Sequence, residues 1–293
     1  MAKGKGTVVV GLSGGLGNQI FQYAAGRALS LKLNAPLELD VSWFSKRSDR
    51  SYALEPFRVS GRLRRSLPHL PSFFSQLESR VARRYALKRM GVCVYREPHF
   101  HFDSAFEAIT QPVYIEGYWQ SPRYFAKYAN IIQDDLCLEK PLPDQCRRVM
   151  EDIKNSDAIC LHVRRGDYIT DPIAARTHGA CSLSYYQDGV MRLLGGLSRP
   201  KCFLFSDDPH WVRDNINLPC EATVVDINGS DEAHRDLVLM ASCRHFVIAN
   251  SSLSWWAAWL GQAADKRVVA PLNWFKSADK DTSDLIPMGW ERI

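Results

Sequence analysis

Four short segments carry residues that can do chemistry, and each follows an apolar run. His162-Val163-Arg164-Arg165-Gly166-Asp167 comes directly after Ala158–Leu161. Two guanidinium groups at that point suit a phosphorylated ligand, because the planar fork of Arg matches phosphate oxygens in pairs. Asn250-Ser251-Ser252 follows His245–Ile248 and offers hydroxyls and backbone N–H groups, which suit either an anion or the capping of a helix. Ser206-Asp207-Asp208 follows Cys202–Phe205. Carboxylates need a metal to hold phosphate, so Asp207 and Asp208 fit hydrogen bonds from a base edge or ribose, or the cap of a helix near Pro209. Ser13-Gly14-Gly15-Leu16-Gly17-Asn18 follows Thr7–Leu12, and its glycines let a ligand approach the backbone closely or simply form a tight turn.

The elements that position these segments follow from periodicity. Thr7–Leu12 predicts a buried strand, Asn18 caps a helix running to about Leu33, and Pro36–Asp40 predicts a second strand. A basic helix is expected over Phe73–Arg89, and a strand over Val113–Glu116. From residue 157 the rhythm restarts. Strands are expected at Ala158–Val163, Cys202–Ser206, Thr223–Asp226, His245–Ile248 and Arg267–Ala270. Helices are expected at Ser184–Leu194, Trp211–Asn215, Glu232–Ala241 and through Trp255, Trp256 and Trp259. Strand and helix alternating twice predicts an α/β chain of two Rossmann-like domains. Ligands of such sheets collect beyond the carboxyl ends of strands, where the four segments fall.

Composition narrows the classes. The 293 residues carry a net charge of +5, with nine Lys or Arg between Arg58 and Arg89 against the single acid Glu78. That stretch suits a solvated face, an anionic membrane surface or a polyphosphate ligand. No binding module for nucleic acid accompanies it. The eight cysteines are dispersed with no C-x-x-C pair, which disfavours a zinc site and a disulfide framework. No apolar run reaches the roughly 18 residues of a membrane span, and Val8–Leu12 is too short for a signal peptide. A cytoplasmic, reduced protein is expected. Asp279-Lys280-Asp281, the one D-x-D, lies in a polar segment, and no metal site is expected.

His162-Val163-Arg164-Arg165-Gly166-Asp167-Tyr168 resembles the GDP-fucose-binding motif shared by α-1,2-, α-1,6- and protein O-fucosyltransferases. Gly15–Ala24 and Glu116-Gly117-Tyr118-Trp119-Gln120-Ser121 are similar to the α-1,2-fucosyltransferases of glycosyltransferase family eleven. Phe205–Asp208 and Asn250–Ala257 agree with the same family. The resemblance implies a GT-B fold with the site in a cleft between an acceptor-side domain, residues 1–150, and a donor domain, residues 151–293. It implies a metal-independent, inverting transfer of fucose from GDP-fucose to O2 of a terminal galactose on an oligosaccharide. Arg164 would bind the β-phosphate, with Arg165 and Asp167 bracing the loop and His162 and Ser206 beside them. Asp207 or Asp208 would meet the guanine, and Asn250, Ser251 and Ser252 the pyrophosphate. Gly15, Leu16, Gly17, Asn18 and Gln19 would approach fucose and acceptor, making Asn18 catalytic beside Arg164. By location, Glu116, Asp40 and Asp103 are candidates for the base.

Two other readings compete. Asp40 lies about twenty residues beyond the glycine turn, where an NAD-binding acid sits, which suits a nicotinamide-dependent oxidoreductase. Against it, Gly11, Gly14, Gly15 and Gly17 do not give G-x-G-x-x-G. A non-catalytic protein that binds a sugar nucleotide or glycan is the other.

Overall fold

A computed structural model describes residues 6–46, 50–65, 93–277 and 280–293. The basic helix expected over Phe73–Arg89, most of the basic stretch and Asp279 lie outside the described residues. The chain forms two compact units, Met1–Glu139 with Ser283–Leu285, and Lys140–Thr282 with Ile286–Ile293. The sequence boundary, after residue 150, falls inside a helix of the second unit.

In the first unit, β1 (Val8–Gly11) leads into α1 (Leu16–Leu33), followed by β2 (Leu37–Asp40), β3 (Arg62–Arg64), β4 (Val94–Arg96) and β5 (Tyr114–Glu116). Its helix α2 spans Ala129–Asp135. The strands are all parallel, in the order β3-β2-β1-β5-β4. Val8, Val9 and Val10 are buried, as a strand covered on both faces requires. The first turn of α1 differs from the sequence expectation. Gly15, in extended conformation, precedes Leu16 as N-cap, and Asn18 sits inside the first turn. Its side chain serves a neighbouring loop, described below, so the backbone donors of the helix start have no side-chain cap.

In the second unit, α3 (Asp144–Lys154) precedes β6 (Asp157–Val163), and two short helices, α4 (Gly166–Thr170) and α5 (Pro172–Thr177), follow it. Next come α6 (Leu183–Leu194), β7 (Pro200–Ser206), α7 (Pro209–Asn215), β8 (Glu221–Val224), α8 (Ala233–Ala241) and β9 (His245–Val247). The unit closes with α9 (Ser252–Leu260), β10 (Val268–Ala270) and β11 (Glu291–Arg292). The sheet is again parallel, in the order β11-β10-β9-β6-β7-β8. The sequence pattern misses α4, α5 and β11, which are too short for a readable period, and β8 forms two residues earlier than expected. Ile159, Leu161 and Val163 of β6 pack with Val247, Val269, Tyr186 and Val190 in the core. Trp255 and Trp256 are fully buried, consistent with core spacing on α9.

Helix α1 lies close enough to β1 that a Cβ on Gly26 would stand 2.9 Å from both Cβ and Cγ1 of Val10. Alanine gains about 1 kcal/mol of helix propensity over glycine, but overpacking a rigid core costs about 1–3 kcal/mol. Gly26→Ala should therefore lower the melting temperature by a few degrees in calorimetry. A higher melting temperature would mean that propensity outweighs the contact.

Candidate functional site

The chemistry-bearing turns stand at the carboxyl ends of the strands in both sheets. In the second unit the order runs outward from β6 to β7 and β8, then resumes on the other side with β9. The turns after β6 and β9 therefore flank the switch point, where open α/β sheets bind ligands. They are Arg164–Asp167 and Asn250–Ser252. In the first unit β1 and β5 are neighbours, and the turns beyond their ends are Ser13–Asn18 and Gly117–Gln120.

Register sets Val163, at the end of β6, beside Ser206, at the end of β7. Across that pair, Asp207 Oδ2 lies 3.0 Å from Nη1 of Arg164 and Asp207 Oδ1 accepts the Arg165 N–H at 2.9 Å. Asp167 Oδ1 accepts from Arg164 Nη2 at 2.6 Å, and the Arg164 guanidinium stands 5.5 Å from the Tyr168 ring centre. Burial works against the charge on Arg164, but Asp207 and Asp167 more than offset it and raise its pKa. Its side chain keeps 24% of its exposure, enough to meet an incoming oxyanion. Arg165 turns elsewhere, 3.7 Å above the Trp211 ring and 3.4 Å from Asp208 Oδ2.

Asp208 Oδ1 also accepts from Trp211 N at 3.2 Å, capping α7, and its own N–H donates to Ser206 Oγ at 2.9 Å. Both aspartates are thus engaged by the two arginines. Gly166 makes room for Asp207, because a Cβ there would meet Asp207 Oδ2 at 2.4 Å.

His162 is buried, and its Nδ1 has no partner among the described residues. Burial pushes its pKa down to about 4, with Arg164 adding to the shift and Asp207 opposing it. At neutral pH it is an uncharged strand residue behind the arginines. Asn250 is also buried, and its amide reaches the carbonyls of Gly179 at 2.9 Å, His178 at 3.1 Å and Trp274 at 3.2 Å. That side chain ties loops together. Ser251 and Ser252 begin α9, and Ser254 Oγ donates to the carbonyls of Ala249 and Ser251. Behind Asn250 a cavity of about 480 Å³ is lined in part by His178, Cys181, Tyr185, Trp274 and Lys276. Apart from Asn250, none of these stands out in the sequence, since Tyr185 reads as a core position of α6 and the rest come from loops with no apolar period.

In the first unit, Gln19 and Gln22 are fully buried on α1. Gln19 donates to the carbonyls of Gly14 and Ser51 and accepts from Ala53 N, each at 2.9 Å. Gln22 accepts from Ser13 N at 2.8 Å and donates to Ser13 Oγ and the Gly117 carbonyl. Asn18 Oδ1 accepts from Gln120 at 2.8 Å. Gly14 takes a φ of +75°, a conformation that favours glycine. Gly15, Leu16 and Gly17 form the start of α1, and Leu16 and Gly17 are buried.

The three base candidates have other partners. Asp40 is buried, accepting from Tyr114 Oη and Ser42 N at 2.9 Å each. Glu116 pairs with Arg96 at 2.9 Å. Asp103 accepts from Tyr95 Oη and Ala105 N, and the Tyr95 hydrogen bond lowers its pKa. Glu97, which sequence reasoning misses, receives the N–H groups of Tyr118 and Trp119, and burial raises its pKa to about 7. All eight cysteines are free thiols. Among the described residues, no group of three or more His, Cys, Asp or Glu is placed to hold a metal ion, and no helix is long and apolar enough to cross a membrane.

Two units, each an α/β arrangement on a parallel sheet, make up a GT-B fold. A solved point mutant of Arabidopsis thaliana FUT1 in complex with GDP shares this fold, with a TM-score of 0.51 and 14% identity over 93% of this chain and 72% of that one. The chain belongs to glycosyl transferase family 11, whose profile matches residues 1–293. It is 28% identical to an Escherichia coli alpha-1,2-colitosyltransferase, over 98% of both chains. It is also 29% identical to the Escherichia coli O-antigen biosynthesis glycosyltransferase WbnK, over 92% of this chain and 95% of that one. A Caenorhabditis elegans galactoside 2-alpha-L-fucosyltransferase is 25% identical, over 85% of this chain and 67% of that one. Family membership displaces the nicotinamide reading, and the burial of Asp40 against Tyr114 leaves that reading without its ribose ligand.

The state of His162 has a measurable consequence. Its folded pKa, about 4, lies below the unfolded value near 6.5. The unfolded chain therefore takes up the proton first, and this part of the stability, complete above about pH 6.5, is lost as pH falls toward 4. Between pH 7 and 4.5 the wild-type melting temperature should fall further than that of His162→Gln, which has no ring to charge. Equal losses would mean that the ring is protonated without penalty.

Proposed function

We propose that the chain transfers L-fucose from GDP-fucose to O2 of a terminal galactose on an oligosaccharide, by inversion and without a metal ion. The observation that carries this reading is Arg164, a partly exposed guanidinium at the switch point, held by Asp167 and Asp207, just after the strand that neighbours β9. As the fucose C1–O bond breaks, negative charge develops on the β-phosphate. A preorganised guanidinium and the helix-start donors of Ser251 and Ser252 stabilise that charge more than the ground state. Asp207 and Asp208 pair with Arg164 and Arg165, and a carboxylate has lone pairs beyond those bonds, so in this reading one of them also meets the guanine. In this reading the first unit binds the acceptor through Gly15–Gln19, Asn18 included.

A second donor is favoured by one comparison, since a relative matching 98% of this chain is named for colitose, which differs from fucose only in lacking the 3-hydroxyl. The basic residues between Arg58 and Arg89 support a cytoplasmic protein held peripherally on anionic lipid. Charge neutralisation across that stretch should then abolish sedimentation with phosphatidylserine vesicles, and unchanged sedimentation would remove the membrane contact.

Arg164→Ala should lower kcat by about 10²–10³, the loss seen when one oxyanion donor is removed. Circular dichroism should remain native, because Asp167 and Asp207 stay partly exposed. Titration calorimetry with GDP, GDP-fucose and GDP-colitose, with product linkage determined, separates the donors. Wild-type turnover by a folded Arg164→Ala would overturn the assignment, and binding without transfer to any galactoside would favour a non-catalytic binding protein.

A further inference from the structure

We propose that Glu97 is the base that takes the proton of the acceptor hydroxyl, an inference that rests on the transferase reading above and deepens it. Glu97 directly follows β4, whose Arg96 is in register with Glu116 at the end of β5. It therefore stands at the carboxyl end of the first sheet, beside the turn that follows β5. Its two oxygens accept the N–H groups of Tyr118 at 2.6 Å and Trp119 at 3.0 Å. These bonds fix the carboxylate and leave each oxygen a further lone pair.

The turn is shaped around that carboxylate. A Cβ on Gly117 would lie 2.5 Å from Glu97 Cβ and 2.7 Å from Oε2, so only glycine fits there. Trp119, fully buried, holds a φ of +59°, a conformation that costs a bulky residue about 1–3 kcal/mol. Such strain persists only where the surroundings enforce it, and Glu97 grips the Trp119 amide itself. Tyr118 remains 51% exposed next to the carboxylate, an aromatic ring available to the C–H face of a pyranose. The other acids near these strand ends are occupied, Asp40 by Tyr114, Glu116 by Arg96 and Asp103 by Tyr95.

The electrostatics suit proton transfer near neutrality. Burial raises the Glu97 pKa to about 7, the two N–H bonds oppose it, and Asp284 adds to it. Asp284 is accompanied by Arg123 at 3.8 Å. The Tyr95 and Tyr124 phenols nearby have pKa values raised by burial and stay neutral. A base is most effective when its pKa lies near the working pH. In the step itself, the acceptor oxygen bonds to the sugar C1 while the C1–O bond to the β-phosphate breaks. That electron pair leaves with GDP, and the hydroxyl proton passes to Glu97 and then to solvent.

The test compares the full chain with Glu97→Gln and Glu97→Asp, using GDP-fucose and lactose. Glu97→Gln should lose about 10²–10⁴ in kcat, the usual contribution of a general base. Its donor KM should stay within about threefold, since the loss falls on the chemical step. The acidic limb of its kcat–pH profile near pH 7 should vanish, and Glu97→Asp should recover part of the rate with a displaced limb. A purely structural Glu97 would change melting temperature and KM and leave the limb in place. Near-wild-type turnover in Glu97→Gln, or a lost rate with an unmoved limb, would overturn the assignment. If Glu97→Gln does not fold, Glu97→Asp decides, an unmoved limb overturning it. Failure of the wild type to transfer any sugar removes the transferase reading and this assignment together, whereas full activity in Glu97→Gln removes the assignment alone.

Discussion

A strand at the centre of a parallel sheet, with covering on both faces, has nowhere to put charge except at its end. Strand β6 sits in that position, between β9 and β7, with Ala158 through Val163 buried. The chain can therefore turn polar only after Val163, where two arginines appear at once. The reversal of strand order at β6 and β9 opens a crevice at that end. Arg164 and Asp207 meet there, beyond strands that register sets side by side. Burial likewise confines polar groups to the ends of β1 and β5, with glycines and amides in place of arginines.

Adjacent arginines would repel if both faced one ligand, and the structure gives them different partners. Asp207 links them through two oxygens, one on the Arg164 guanidinium and the other on the Arg165 amide. Arg165 then sits over the Trp211 ring, a contact in which the aromatic face attracts the cation. Arg164 and Arg165 keep 24% and 20% side-chain exposure, so what separates them is their partners. Gly166 permits this geometry, since any side chain there would displace Asp207. His162, one residue before the end of β6, is kept neutral by burial, which spares the arginines a third positive charge behind them.

Rigidity in the first unit comes from buried amides. Gln19 and Gln22, both without exposure, bond to backbone groups of the loops around residues 13–14, 51–53 and 117. A buried amide is tolerated only when its donors and acceptors are satisfied, so these bonds specify loop positions as well as stabilise them. Glu97 does the same for Tyr118 and Trp119 from the neighbouring strand. The outcome is a strand-end turn held from two sides, with one carboxylate poised near neutrality.

Sequence alone determined the long, periodic and strongly apolar features. Strand β6, helix α6, the tryptophan helix α9 and the first β–α–β pass were legible, because burial on a fixed period leaves a pattern in residue type. The polar segments at their ends were legible for the same reason, as breaks in that pattern. Three things were decided only by tertiary structure. Asp207 and Asp208 answer to Arg164 and Arg165 because parallel register sets β7 beside β6, a pairing that local sequence does not encode. Gly15 displaced Asn18 as the cap of α1 because Gln120, about a hundred positions away, engages the Asn18 side chain. Glu97 follows a strand of three residues, too short for any period, and its two backbone partners and its raised pKa arise from folding around the Gly117–Trp119 turn. Periodic burial is a local property that one stretch of sequence can display. The environment of a carboxylate is a sum over distant neighbours, and it exists only once the chain has brought them together.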